Sequence, residues 1–433
     1  MLLEINNVSK DSSDYTGGHL IVDGNLTYGD NSKLQLLVGS GLSQRQHTGE
    51  LELITVNGQA SGSFSEIVAN NLYSVEQRNG KYIISYGPTI NDVVEIGGGN
   101  DNNKATANAW DRIENPTGLT KELQSVLNYL LQYDEENYVK GLDNLAPSDS
   151  NFVAGIARTT NTTMAQQIAK RLSDVRGRSG GDVTFKDMSV WAQGLYNMAE
   201  QDGDATFNSK TFGVMAGIDG NITDNLTVGV GYAYNKTNAD ADEREVKANG
   251  STVSLYGEYV HSFDRTMDKE KGLDEVYKNK QYLEGVYVNA AISYGSTDYE
   301  EESEMGNFAD YTVSSIGANA NVGLALTGTK FVPEVGVRYL HINKYDYQDA
   351  AEQEINVDAA DILTLVANAK YSTSFDVNML TSEQNTRSLS LKPFGHIGVS
   401  YDVVNSDNVA NVSISNVQYQ IQGESIDPLG VSA

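Results

Sequence analysis

Between residues 226 and 401 the chain repeats one device: stretches of about ten residues in which apolar side chains alternate with small or polar ones, set apart by polar, acidic turns. In Leu226-Thr-Val228-Gly-Val230-Gly-Tyr232-Ala-Tyr234 the even positions form an apolar face ending in aromatics, while the odd ones are Thr227, Gly229, Gly231 and Ala233. Such a strand is greasy on one side only and long enough to cross a bilayer at a tilt of roughly 45°. The pattern recurs in Val286-Tyr-Val288-Asn-Ala290-Ala-Ile292-Ser-Tyr294, with Tyr287, Asn289 and Ser293 inward. It recurs again over 316–326, where Asn319, Asn321 and Gly323 face in.

Charges discriminate best. Over 331–341 the outward row is Phe331, Pro333, Val335, Val337 and Tyr339, so Glu334 and Arg338 fall on the opposite face. Lys370 is likewise inward in Leu363-Thr-Leu365-Val-Ala367-Asn-Ala369-Lys-Tyr371. An Arg or Lys against lipid at the midplane costs about 2–4 kcal/mol, so this sorting predicts an all-β fold: a transmembrane antiparallel β-barrel with a wet interior. The competing reading is a soluble β-sandwich, which also alternates but whose strands average about five to six residues.

With 39% hydrophobic residues and a mean hydropathy of −0.39 the chain looks soluble on paper, as barrels do when only every second residue meets lipid. No apolar run approaches the roughly 18 residues of a spanning helix. The net charge of −28 argues against nucleic acid as a partner, since phosphate binding needs clustered Lys and Arg. Absent cysteine fits an exported surface protein without proving one.

Residues 1–110 have another texture. Short pulses such as Leu34-Gln-Leu-Leu-Val38, Leu51-Glu-Leu-Ile-Thr-Val56 and Lys81-Tyr-Ile-Ile-Ser-Tyr86 are punctuated by Gly, Asn and Asp. They read as stacked rungs of a β-solenoid, with an ordinary β-sandwich as the alternative. Gly97-Gly-Gly-Asn-Asp-Asn-Asn103 reads as a flexible boundary. From 111 to 180 the period turns helical. Leu123, Leu127, Leu130 and Leu131 stripe a helix over about 120–137, and Met164, Ile168, Leu172 and Val175 stripe a second over about 162–176. Lys170, Arg171, Arg176 and Arg178 cluster at the end of the second helix. They serve either the helix dipole or a helix threaded through a polar lumen, its cations near inward carboxylates.

The segments Ser189-Val-Trp-Ala-Gln-Gly-Leu-Tyr196, Phe212-Gly-Val-Met-Ala-Gly-Ile-Asp-Gly220, Leu226 to Tyr234 and Val253-Ser-Leu-Tyr-Gly-Glu-Tyr259 follow a helix and a Gly-rich joint. In that order they resemble the opening strands of the autotransporter β-domain, the type V secretion translocator of Gram-negative bacteria. The resemblance covers 181–433, and residues 1–110 are similar, less specifically, to the last rungs of a passenger. It implies a twelve-stranded outer-membrane barrel, about nine or ten strands of which are present here, with an α-helix in its pore and the passenger outside. It also implies a monomer that contacts outer-membrane lipid and is folded by the barrel-assembly machinery, with the passenger touching host or neighbouring cells.

On this reading the outward loops are 198–210, 236–250, 297–310, 344–361 and 405–428. The third carries Asp298, Glu300, Glu301, Glu302, Glu304 and Asp310, a solvated rim or, alternatively, a calcium site. Lys170, Arg171, Arg176, Glu334, Arg338 and Lys370 are the candidate lumen-facing or plug residues, with Glu334 and Arg338 a candidate ion pair. The chain departs from the family pattern at both ends. It has no secretory signal at Met1-Leu-Leu-Glu4 and no aromatic residue ending its last strand, so it reads as a fragment of a longer product. An acidic, Lys-bearing stretch over 265–282 is unusually long for a periplasmic connection.

Catalytic chemistry is not visible. The histidines His19, His47, His261, His341 and His396 are scattered, and there is no zinc motif, nucleophile elbow, phosphate loop or dinucleotide fingerprint. Neither an enzyme nor a cofactor is expected. Some members of the family cut their passenger at an Asn-Asn peptide; Asn161-Thr-Thr-Met164 supplies none, so self-cleavage is not expected.

Overall fold

A computed structural model describes residues 2–8, 15–38, 49–51, 53–69, 73–78, 81–86, 89–147, 150–175, 188–201, 207–241, 244–263, 282–327, 331–372, 375–380, 386–391, 394–406, 409–423 and 428–432. The stretch 265–282 and both Arg176 and Arg178 lie essentially outside the described residues, Tyr282 alone opening a strand.

The chain begins with short strands: β1 (Leu2–Val8), β2 (Tyr15–Gly17), β3 (Leu20–Val22), β4 (Leu26–Thr27), β5 (Lys33–Val38), β6 (Gly49–Leu51), β7 (Ile54–Val56), β8 (Ala60–Ser61), β9 (Glu66–Ala69), β10 (Tyr73–Arg78) and β11 (Lys81–Tyr86). β1, β5 and β9 stack in parallel, as do β3 with β7 and β4 with β8. Parallel pairing is what a solenoid requires and an antiparallel sandwich does not. Each rung is repeated 33 or 34 residues on, and polar side chains at its corners bond to their counterparts, Asn57 to Asp23 at 2.7 Å and Ser61 to Thr27 at 3.1 Å. Leu34, Leu36, Leu53 and Ile54 fill the core between rungs.

The parallel rungs end with β9, since β6, β10 and β11 pair antiparallel, and the strands stop at Tyr86, short of 110, because the sequence then caps two helices. In α1 (Ile90–Ile96) Thr89 and Asp92 form a capping box, and in α2 (Asp101–Trp110) Asn100 and Asn103 form another. The Gly-Asn-rich run read as a flexible boundary is therefore ordered: Gly97 closes α1 and Asn100 opens α2. The helix expected over 120–137 is also two, α3 (Gly118–Tyr133) and α4 (Glu135–Leu145). Asp134 ends the first and its side chain accepts from the Asn137 N–H at 3.1 Å to start the second.

Helix α5 (Ser150–Val175) begins well before the expected 162. It leads to β12 (Ser189–Gln201), β13 (Phe207–Thr223), β14 (Leu226–Ala241), β15 (Arg244–Ser262), β16 (Tyr282–Ser303), β17 (Phe308–Thr327) and β18 (Phe331–Ile342). Then come β19 (Tyr345–Gln348), β20 (Glu354–Val357), β21 (Ala360–Ser372), β22 (Phe375–Leu380), β23 (Thr386–Leu391), β24 (Phe394–Asn405), β25 (Val409–Ile414), β26 (Val417–Gln422) and β27 (Leu429–Ser432). One ten-stranded antiparallel sheet runs β12-β13-β14-β15-β16-β17-β18-β21-β24-β27 and curls around α5, which touches β12 and β14 to β18. This is the all-β architecture that the alternation predicted, around the pore helix that the resemblance implied.

The outward rows are as read: Val230, Tyr232, Val253, Leu255, Ile292, Tyr294, Val335 and Leu365 are exposed. Their inward neighbours Asn235, Ser254, Asn289, Ser293, Asn321 and Thr364 are buried. Tyr196, Phe212, Tyr232, Tyr294, Tyr339 and Tyr401 form an exposed aromatic band toward the outer end, where amphipathic rings suit a membrane–water boundary.

Above that band the expected loops are not loops. β14 and β15 pair without a break from Leu226↔Tyr259 to Ala241↔Arg244, and β16 with β17 as far as Glu302↔Phe308. Here the same parity carries the opposite chemistry. Lys236, Asn238, Asp240, Glu245, Lys247, Asp298, Glu300 and Asp310 are exposed, while Ala239, Val246, Ala248, Tyr299, Ala309, Tyr311 and Val313 are buried. The acidic run 298–304 is thereby split between faces, Glu301 pointing inward and Glu300 and Glu302 out. The expected loop 198–210 continues the β12–β13 pairing as far as Gln201↔Phe207, with 202–206 outside the described residues, and the expected loops 344–361 and 405–428 hold hairpins that join into a four-stranded sheet, β19-β20-β25-β26, across the mouth.

Candidate functional site: the barrel lumen and its outer mouth

Inside the membrane-spanning half, α5 is held by charge on one side and packing on another. Arg171 clamps Asp219 of β13 in a bidentate pair, Nε to Oδ2 at 2.6 Å and Nη2 to Oδ1 at 2.8 Å. Asp219 also accepts the Tyr256 hydroxyl at 3.1 Å, which in turn accepts the Trp191 indole N–H at 2.8 Å. The guanidinium lies 5.9 Å from the centre of the Trp191 ring, within cation–π range. Met164, Ile168 and Leu172 pack on Trp191, Leu195, Met215, Ala233 and Tyr256. Both large rings need glycine beside them: a Cβ at Gly229 would sit 2.5 Å from Tyr256 Cζ, and one at Gly323 would overlap Tyr287.

Of the candidate residues singled out in the sequence, Glu334 and Lys370 come together at 2.5 Å, and the Tyr287 hydroxyl donates to Glu334 at 3.0 Å. Glu334 is thus not the ion-pair partner of Arg338. With the inward position Gly336 between them on β18, the nearer ammonium on β21 captures the carboxylate. Arg338 instead reaches Thr162 on α5, Nη1 to Oγ1 at 3.5 Å. Lys170 is half-buried on α5 and makes no ion pair among the described residues. Arg176 lies outside them.

Three lumen contacts are not singled out in the sequence: Arg158 pairs with Asp402 at 2.7 Å, Gln166 bonds His396 at 2.8 Å, and Arg171 finds Asp219, which shares parity with the inward Met215 and Gly217.

The outer half of the interior is dry. Phe152, Val153, Ala154 and Ile156 of α5 meet Leu340, Ile342, Ile355, Val357, Ile362, Val412 and Ile421. Four tyrosines stack there: Tyr311 lies 5.4 Å from Tyr299, 5.4 Å from Tyr345 and 4.3 Å from Tyr347 between ring centres. On the far side of the mouth sheet sit helices α1 to α4. Their core of Val93, Val94, Trp110, Leu127, Leu142 and Leu145 includes Ala351 and Ile414 from the hairpins. Asp349, at the tip between β19 and β20, is held above the ordinary aspartate range by burial, against hydrogen bonds from Asn307 and Gln353 that favour its charge.

A barrel wall, an enclosed helix and a surface-side mouth are the parts of a secretion translocator. A family model described as the autotransporter β-domain matches residues 190–429, and the chain belongs to that family. It is 25% identical over 358 residues to outer membrane protein B of Rickettsia prowazekii (strain Madrid E), covering 73% of this chain and 21% of that protein. It is 24% identical over 196 residues to the IgA-specific serine endopeptidase autotransporter of Neisseria gonorrhoeae, covering 45% and 11%. The translocator domain of the autotransporter NalP from Neisseria meningitidis aligns with a TM-score of 0.39 and 14% identity, over 63% of this chain and 94% of that one. The chain spans about a fifth of the length of the first of these relatives. It carries the β-domain of an outer-membrane autotransporter.

Proposed function

We propose that this β-domain exports and then anchors its passenger without catalysis, retaining α5 in the pore as the tether between the two. The observation that carries this reading is the Arg171–Asp219 clamp. A buried bidentate pair between a threaded helix and the wall fixes the helix axially, and breaking such a pair by removing one partner costs about 3–5 kcal/mol. Outer-membrane lipid covers the outward rows, the barrel-assembly machinery inserts the sheet, and the molecule works as a monomer. The passenger, of which residues 2–86 are the rungs nearest the membrane, meets host or neighbouring cells. No Asn-Asn peptide occurs in α5, so self-cleavage by that route is not expected; mass spectrometry finding a new N-terminus between 155 and 180 would contradict this.

The test is an epitope placed in the exposed Tyr28–Asp30 corner of the full-length protein. Antibody should reach it on intact cells. Reactivity only after the outer membrane is broken would overturn export. A general porin is the second reading, since the wall is that of a membrane barrel; it requires a steady large current in planar bilayers, whereas the threaded helix requires nearly none.

A further inference from the structure

The four helices over the mouth are attached by groups that a membrane anchor alone does not need. Arg244, the first residue of β15, is half-buried, its side chain 9% exposed. Its Nη2 donates to the carbonyls of Asp143 and Asn144 at 3.1 Å each and to that of Ala146. Those carbonyls lie at the negative C-terminal end of α4, where a cation is favoured. Nη1 lies 3.7 Å from the buried carboxylate of Glu301.

Other parts of the rim grip the same helix end. The Met305 N–H donates to Asn144 Oδ1 at 3.0 Å and Gln353 Nε2 to the Leu145 carbonyl at 2.8 Å. Gln353 is held in place by Asp349 at 2.6 Å and by the Tyr419 hydroxyl at 2.5 Å. Two further attachments flank this grip. Thr120 of α3 donates to the Ala351 carbonyl at 2.7 Å, and Asn102 of α2 exchanges two hydrogen bonds with the backbone of Gln422, at 2.7 and 2.9 Å. Barrel strands β15 and β16, the turn after β16 and both mouth hairpins therefore converge on one helical unit.

We propose that residues 89–146 are a stopper belonging to the translocator, not a passenger segment: a helical cap, keyed to the barrel rim by Arg244, that closes the outer mouth independently of α5. Closure is then double. The cap and mouth sheet seal from outside and α5 occupies the lumen beneath. The inference rests on the membrane reading of the barrel but not on α5 as tether, and the variants below leave the lumen ion pairs untouched, so the two can fail separately.

The chain has no cysteine, so a single Ala351→Cys in the full-length protein reports on docking; Ala351 is 0% exposed beneath the cap. In outer-membrane vesicles a membrane-impermeant maleimide should label it slowly. Adding Arg244→Gln should speed labelling at least tenfold while single-channel current stays low, because α5 still fills the lumen. Ile414→Asp, which attacks the same interface from the hairpin side and leaves Arg244 intact, should do likewise, so the test stands even if one variant fails to insert. Heat-modifiable migration on gels identifies inserted barrels. An Asn102→Cys/Gln422→Cys pair, oxidised, should restore closure to Arg244→Gln and lose it on reduction. Unchanged labelling in both variants would overturn the proposal.

Discussion

The inner and outer halves of the barrel wall are made of the same strands, in one register, yet their chemistry is inverted. On β15 the membrane half points Val253 and Leu255 outward and buries Ser254, Tyr256 and Glu258; eight residues earlier Glu245 and Lys247 point outward and Val246 and Ala248 are buried. β16 repeats the switch between Tyr294 and Asp298. Parity is a property of the pleat and cannot change without a bulge. Which parity is apolar depends only on what lies on each side: lipid outside and polar groups within, or water outside and a dry core within.

The comparison is sharpest where each half loses what its interior is made of. In the outer half, Tyr299→Ala removes a ring 2% exposed from the tyrosine stack and should cost about 3–5 kcal/mol. In the inner half, Asp219→Asn strands Arg171 and should cost a similar 3–5 kcal/mol, about. Denaturant unfolding of the detergent-solubilised protein reads both. If either were near zero, the corresponding interior would not be assembled as described.

The outer faces should differ next. Leu255→Arg, on a face 61% exposed and bathed in lipid, should lose about 2–4 kcal/mol. Glu245→Arg, on the same strand and parity but above the aromatic band, should stay within about 0.5 kcal/mol. Equal penalties would erase the distinction between the halves.

Acid should separate the cap's two parts. Asp349 is raised above 3.8 by burial, so its contribution to docking is fully present below the unfolded value and is lost as pH rises through the raised one; docking at the hairpin tightens on acidification. Asp92 is lowered by its bonds to Thr89. Its contribution is present above 3.8 and lost as pH falls through the lowered value, so α1 loosens in acid. Labelling at Ala351→Cys, with and without Asp349→Asn, measures the first, and amide exchange in α1 the second. Smallest is Thr89→Ala, which should cost about 1 kcal/mol and raise exchange in α1 alone.

Much of this was legible in sequence, and the misses share a cause. The strands from Ser189 to Leu429, the inward placement of Glu334, Arg338 and Lys370, and the apolar stripe of α5 all follow from periodicity against an assumed environment. The regions 236–250 and 297–310 read as loops because their outward positions turn polar, though Val246-Lys-Ala248 and Ala309-Asp-Tyr311 still alternate. The early start of α5 was hidden by Gly155, Thr159 and Thr160, poor helix formers, which packing of Phe152 to Ile156 against the mouth overrides. Arg244 and Asp402 find their partners across long sequence distances, α4 about 100 residues away and Arg158 on the helix, and no local pattern carries such information.

The inversion itself can be read directly along β14. Spin labels placed singly at the outward positions 230, 232, 234, 236, 238 and 240 of the cysteine-free chain, in lipid vesicles, report relative access to oxygen and to a water-soluble nickel chelate. The account predicts oxygen-dominated access at Val230 and Tyr232, chelate-dominated access from Lys236 to Asp240, and a crossover beside Tyr234. A single environment along the whole row, lipid or water, would contradict it.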